Sequence, residues 1–133
     1  MIQILLIFIV MVSELIMKSN CLTCLETNEQ GEVGPVTNSE WVYCSLIPGD
    51  KGEGIKLFGM SEEEDSLTWY DATFRPSDMY RVLTVCLYEE YDLSKFNPRF
   101  EAPEHMFRCV CNYDLCNSPK NPAFKNHIQG LQG

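Results

Sequence analysis

Seven cysteines follow residue 20, at Cys21, Cys24, Cys44, Cys86, Cys109, Cys111 and Cys116, and no other feature narrows the choice of fold as much. In an exported chain such density reads as a disulfide framework, because oxidising compartments keep sulfur paired and small domains use bridges to offset chain entropy. With seven cysteines one is left over, and choosing it while pairing the other six allows about 105 arrangements, so counting does not fix the connectivity. Just over a hundred residues remain after the start, enough for one ordinary domain.

Export is read from the opening. Ile2 to Val12 is an apolar run of signal-peptide length, followed by the polar Ser13-Glu14 and Lys18-Ser19-Asn20. Cleavage before Cys21 is the preferred reading. An uncleaved anchor extending to Met17 is the alternative, and it would bury Glu14 while falling short of the roughly 20 residues a span needs. The expected organisation is a signal peptide over 1–20, a folded domain over 21–117 and a flexible tail over 118–133, rich in Pro, Gly and polar residues. No apolar C-terminal run marks a lipid anchor, so a secreted, extracellular protein without stable membrane insertion is expected. Neither Asn38-Ser39-Glu40 nor Asn117-Ser118-Pro119 completes a glycosylation sequon.

A formal net charge of −9 repels phosphate backbones and anionic membranes, which argues against nucleic acid as a partner and toward basic protein surfaces. The acidic run Ser61-Glu62-Glu63-Glu64-Asp65-Ser66 favours a solvated loop through like-charge repulsion. The sharper reading puts Glu62, Glu63 and Glu64 at a protruding tip, flanked by Phe58, Met60, Trp69 and Tyr70, as a contact surface for a basic partner. Aromatics beside charges suit protein recognition, although such aromatics are more commonly half-buried strand residues.

Strand signals dominate between the cysteines. Glu40 to Ile47 is rich in β-formers and stops at Pro48-Gly49-Asp50. Ser66 to Phe74 reads as a strand ending before Pro76, and Tyr80 to Tyr88 is the longest β-former run, apolar on both faces. Glu104 to Cys111 would return as its partner across the turn-rich segment from Asp92 to Pro103. The two-residue spacing puts Cys109 and Cys111 on one face of that strand.

The paired start Cys21-Leu22-Thr23-Cys24, the isolated Cys44 and Cys86, and the ending Cys109-Val110-Cys111-Asn112-Tyr113-Asp114-Leu115-Cys116-Asn117 resemble the uPAR/Ly-six three-finger family. That family includes snake three-finger toxins and activin-receptor-like ectodomains, and its last cysteine is typically followed by asparagine, as Cys116-Asn117 is. The resemblance implies an all-β, small, disulfide-rich fold, with three hairpin fingers on a cystine hub. It also implies pairing of Cys21 with Cys44, Cys86 with Cys109 and Cys111 with Cys116, with Cys24 unpaired; Cys24 in place of Cys21 as the partner of Cys44 stays open. The stretch between Cys44 and Cys86 becomes an enlarged second finger.

No catalytic chemistry is expected. His105 lies in a strand and His127 in the tail, no nucleophile motif accompanies either, and Glu89-Glu90 point to opposite faces of a strand. Phosphate loops, zincin pairs and calcium loops are absent from the sequence, and no cofactor is expected. A zinc site or redox pair built on Cys21-x-x-Cys24 is the competing use of the cysteines, but the second zinc-knuckle spacing is missing and export disfavours both. The resemblance implies a secreted, non-enzymatic binder that modulates a cell-surface receptor or channel. Soluble capture of a growth-factor ligand is the alternative, and a disulfide-linked structural homodimer is the reading from another class.

Overall fold

The structure, a computed structural model, describes residues 21–49, 54–63 and 66–125. The expected signal peptide, Glu64 and His127 lie outside the described residues. Six strands form three consecutive antiparallel hairpins: β1 (Leu22–Thr27) with β2 (Val33–Asn38), β3 (Trp41–Ile47) with β4 (Lys56–Ser61), and β5 (Thr84–Tyr91) with β6 (Glu104–Cys111). The first hairpin is a two-stranded sheet by itself. The other four strands join in the order β4-β3-β6-β5, because β3 also pairs antiparallel with β6.

Alternation along β3 and β6 builds two cores, one on each face of the larger sheet. Cys44, Leu46, Cys109 and Cys111 point toward the first hairpin and pack with Cys24, Leu57, Cys116 and Phe124. Tyr43 and Val110 point the other way, against Met60 and a short helix, α1 (Thr68–Phe74). The two-residue spacing of Cys109 and Cys111 places both on the cystine face, as period-two geometry requires.

Three bridges close the cystine face: Cys24–Cys44, Cys86–Cys109 and Cys111–Cys116. The first corrects the expected Cys21–Cys44 pair, and with it the expectation that Cys24 stands outside the bridges. Cys24 is fully buried inside β1, whereas Cys21 precedes the strand, is exposed and belongs to none of the three bridges. An odd separation of three residues turns their side chains to opposite faces of an extended chain, so only one of the two can reach Cys44.

Residues Ser66 to Phe74, expected as a strand, contain α1. Leu67, Tyr70 and Phe74 recur at helical spacing and are all buried against β3 and β6, while Trp69 is exposed. Tertiary burial overrides the β-preference of Thr, Trp and Tyr here. The helix stops at Arg75, whose backbone (φ −57°, ψ 118°) is extended as the following Pro76 requires. The expected strand over Tyr80 to Tyr88 begins four residues later, at Thr84. Ser77 and Tyr80 close a turn on each other, Ser77 N–H donating to the Tyr80 carbonyl and Tyr80 N–H to Ser77 Oγ, and this delays the strand.

The tail, expected to be loose, is anchored through residue 125. Asn117 is fully buried and joins the two sheets: its Oδ1 accepts from Leu25 N–H at 2.9 Å, and its Nδ2 donates to the carbonyls of Leu25 at 2.8 Å and Ser45 at 2.9 Å. Phe124, on a helical turn over 122–125, is buried in the cystine core. Leu115, in the Cys111–Cys116 loop, takes a left-handed backbone (φ 56°) while its N–H donates to the Thr23 carbonyl at 2.7 Å.

Candidate binding surface

The third hairpin is the longest, eight residues on each arm. On its cystine face Tyr88 stacks on His105 with ring centroids 5.5 Å apart, and His105 Nε2 lies 3.1 Å from Glu90 Oε2. The register explains the grouping: Glu90 is directly opposite His105, and Tyr88 is the next same-face residue of β5. Beyond the strands the connection from Asp92 to Pro103 turns through a short 3-10 segment (Leu93–Lys95), where Ser94 and Lys95 hold the Asp92 carboxyl below its usual range. This connection presents Phe96, 88 % exposed, and Phe100. Tyr88, in β5, is 73 % exposed, so the hairpin and its connection carry three exposed aromatic rings.

The opposite face of the hairpin is packed under α1. Arg108 and Glu89 pair at 3.4 Å, Tyr70 OH donates to Glu89 Oε1 at 3.1 Å, and the Arg108 guanidinium lies over Phe58 at 6.0 Å. Burial and then the Glu89 carboxylate push the Tyr70 hydroxyl up to about 12, against the opposing pull of Arg108. Tyr43 is raised further, by burial and by donating to Asp71 Oδ1 at 2.7 Å. Both tyrosines are therefore neutral hydrogen-bond donors tying α1 to the sheet.

Where α1 meets β5, Ser66, Trp69, Tyr70, Leu87, Tyr88 and Glu89 line a hollow of about 340 Å³. Trp69, 57 % exposed, stands edge-on to Tyr70 at 6.0 Å and forms its outer wall. A larger and more apolar hollow of about 680 Å³ lies between the first hairpin and β4, walled by Leu25, Val33, Ile55, Leu57 and Pro119.

The structure separates the residues expected to form a single contact surface. Glu62 and Glu63 are exposed, but they follow Ser61, the residue of β4 paired with Trp41 at the start of β3, so they lie at the end opposite the hairpin's turn. They occupy the β4–α1 connection. Tyr70 is core and Met60 is fully buried, and Phe58 is half-buried under Arg108 and Lys56. Of the expected aromatics, Trp69 alone is exposed. The residues of the third hairpin were missed because their surroundings read as turn; Phe96 and Phe100, bulky aromatics amid Ser, Lys, Asn and Pro, were the available signal.

Among the described residues no group of three His, Cys, Asp or Glu side chains is arranged to hold a metal, and no helix is long and apolar enough to cross a membrane. The model of DUF5354, a family of unknown function, matches residues 13–129. No curated protein and no solved structure matches the chain.

Proposed function

We propose, for a chain that belongs to the DUF5354 family of unknown function, that it is a secreted, non-enzymatic binding protein of three-finger type that modulates a cell-surface receptor or channel. The observation that carries this reading is the exposure of three aromatics on the third hairpin and its connection, Tyr88, Phe96 and Phe100, on an acidic molecule. Large aromatics supply most of the energy at protein interfaces, and leaving them exposed opposes solubility unless a partner covers them. Their position favours receptor modulation over capture of a growth factor, since Phe96 and Phe100 sit at the end of the hairpin instead of across a broad sheet face. Three bridges, three successive hairpins and a Cys116-Asn117 close like that of the three-finger family support the three-finger reading, and the bridges agree with an extracellular setting.

The test is saturable binding of the labelled, oxidised protein to intact cells of the producing organism. The double variant Phe96→Ser, Phe100→Ser is expected to lose about tenfold or more in affinity while keeping its circular dichroism spectrum. Equal binding by both proteins, or no saturable binding by either, removes the reading.

A further inference from the structure

Sheet edges offer unpaired backbone groups to any extended chain that passes, and proteins ordinarily blunt them. Three of the four edges here are blunted. On β4, Thr27 reaches across from the first hairpin, its Oγ1 donating to the Ile55 carbonyl at 3.3 Å and accepting from Leu57 N–H at 3.1 Å. On β1, Asp114 Oδ1 accepts from Thr23 N–H at 2.9 Å, Leu115 N–H donates to the Thr23 carbonyl, and Asn117 takes both backbone groups of Leu25. On β2, Pro35 is paired with Leu25, whose own backbone groups point away from β2, so the proline nitrogen, which carries no hydrogen, faces outward.

Among the described residues no strand pairs with the outer edge of β5, and Thr-Val-Cys-Leu-Tyr-Glu-Glu-Tyr contains neither Pro nor Lys. Its register identifies the available groups. The Cα atoms of Cys86 and Cys109 are 4.0 Å apart, the close spacing of a pair that exchanges no hydrogen bonds. The backbone N–H and carbonyl groups of Thr84, Cys86, Tyr88 and Glu90 therefore point away from β6, while those of Val85, Leu87 and Glu89 are spent on it. Beside this edge, on the α1 face, lies the hollow lined by Trp69 and Leu87.

We propose that the β5 edge docks an extended, basic segment of a partner protein, which adds as a fifth strand and seats an apolar side chain between Trp69 and Leu87. Main-chain pairing supplies affinity in this mode and alternate side chains supply selectivity. Charge picks the occupant. Glu89 is already matched by Arg108 and Lys95 by Asp92, whereas Glu90, with His105 at 3.1 Å as its neighbour, stays 63 % exposed beside the open edge, and the chain carries nine excess negative charges. A second copy would bring its own Glu89 and Glu90 and the same net charge against them; a lysine-rich strand brings their complement.

The proposal rests on the binding reading above, and its test reads a different part of the molecule. Backbone amide exchange is followed residue by residue in the oxidised full chain, alone and with a synthetic decapeptide alternating lysine and valine, or its glutamate–valine counterpart. In the free protein the amides of Cys86, Tyr88 and Glu90 should exchange quickly and those of Val85, Leu87 and Glu89 slowly. The lysine–valine peptide should slow the first set about tenfold or more, the glutamate–valine peptide should leave it unchanged, and Trp69→Ala should weaken the effect without altering the free pattern. Absence of protection, equal protection by both peptides, or protection that grows with protein concentration in the absence of peptide overturns the proposal. Cell binding that depends on Phe96 and Phe100 without any β5 protection would sink this inference and leave the broader one standing.

Discussion

At the residue scale the most consequential side chain is Asn117. Its buried amide occupies three backbone groups, and removing it strands all three, each costing about 1–3 kcal/mol when buried without a partner. Asn117→Ala is expected to lower stability by roughly 3 kcal/mol, read as a shift of the urea midpoint at unchanged slope. The sequence pointed to this residue only through likeness to a family; nothing in Cys116-Asn117 itself announces that the side chain reaches Leu25 and Ser45. The cysteine choice was open for a similar reason, since burial of Cys24 depends on which face of β1 meets the sheet, a fact set by partners far along the chain. Tyr70 gives a second residue-level expectation. Its proton is held up to about 12 in the folded state against 10.0 ordinarily, so unfolding releases it first and stability is complete below about pH 10 and falls as pH rises toward 12. Absorbance titration of phenolate should show Tyr70 and Tyr43 ionising late, and Tyr70→Phe should shrink the alkaline loss of stability.

At the scale of elements, β3 and β6 were legible because their β-former content, turn boundaries and cysteine spacing all agree. The helix was not, because Thr68-Trp69-Tyr70 is good strand material and the i, i+3, i+7 repeat of Leu67, Tyr70 and Phe74 is short. The structure predicts an asymmetry that a strand would not show: Phe74→Ala should cost about 3–5 kcal/mol, whereas Trp69→Ala, on the same helix but facing solvent, should change stability by under about 1 kcal/mol. Denaturation of the two variants checks it. Gly59 supplies a second element-level expectation. Trp41 lies so closely over it that a Cβ would overlap the indole ring, so Gly59→Ala should displace Trp41 and shift its fluorescence even where the fold survives.

At the scale of the whole molecule, two thin cores share one sheet, and one of them is largely sulfur. Bridges closing loops of this size contribute about 2–4 kcal/mol each, together comparable to the entire stability of a small domain. Full reduction is therefore expected to unfold the protein, and an unchanged circular dichroism spectrum after complete reduction would contradict the account. Counting cysteines anticipated this dependence, while the docking of α1 and the burial of Phe124 could not be counted, because each needs a surface that exists only once distant strands have paired.

Leu25 and Asn117 are 92 positions apart, and that interval has a bearing on how the molecule is made. A ribosome releases the first hairpin long before the asparagine that fastens it, so the early part of the chain must wait, unjoined, until nearly all the described domain has been synthesised. Biogenesis thus has its decisive moment near the end of translation, and a chain interrupted just ahead of residue 117 would be left with hairpins and no clasp.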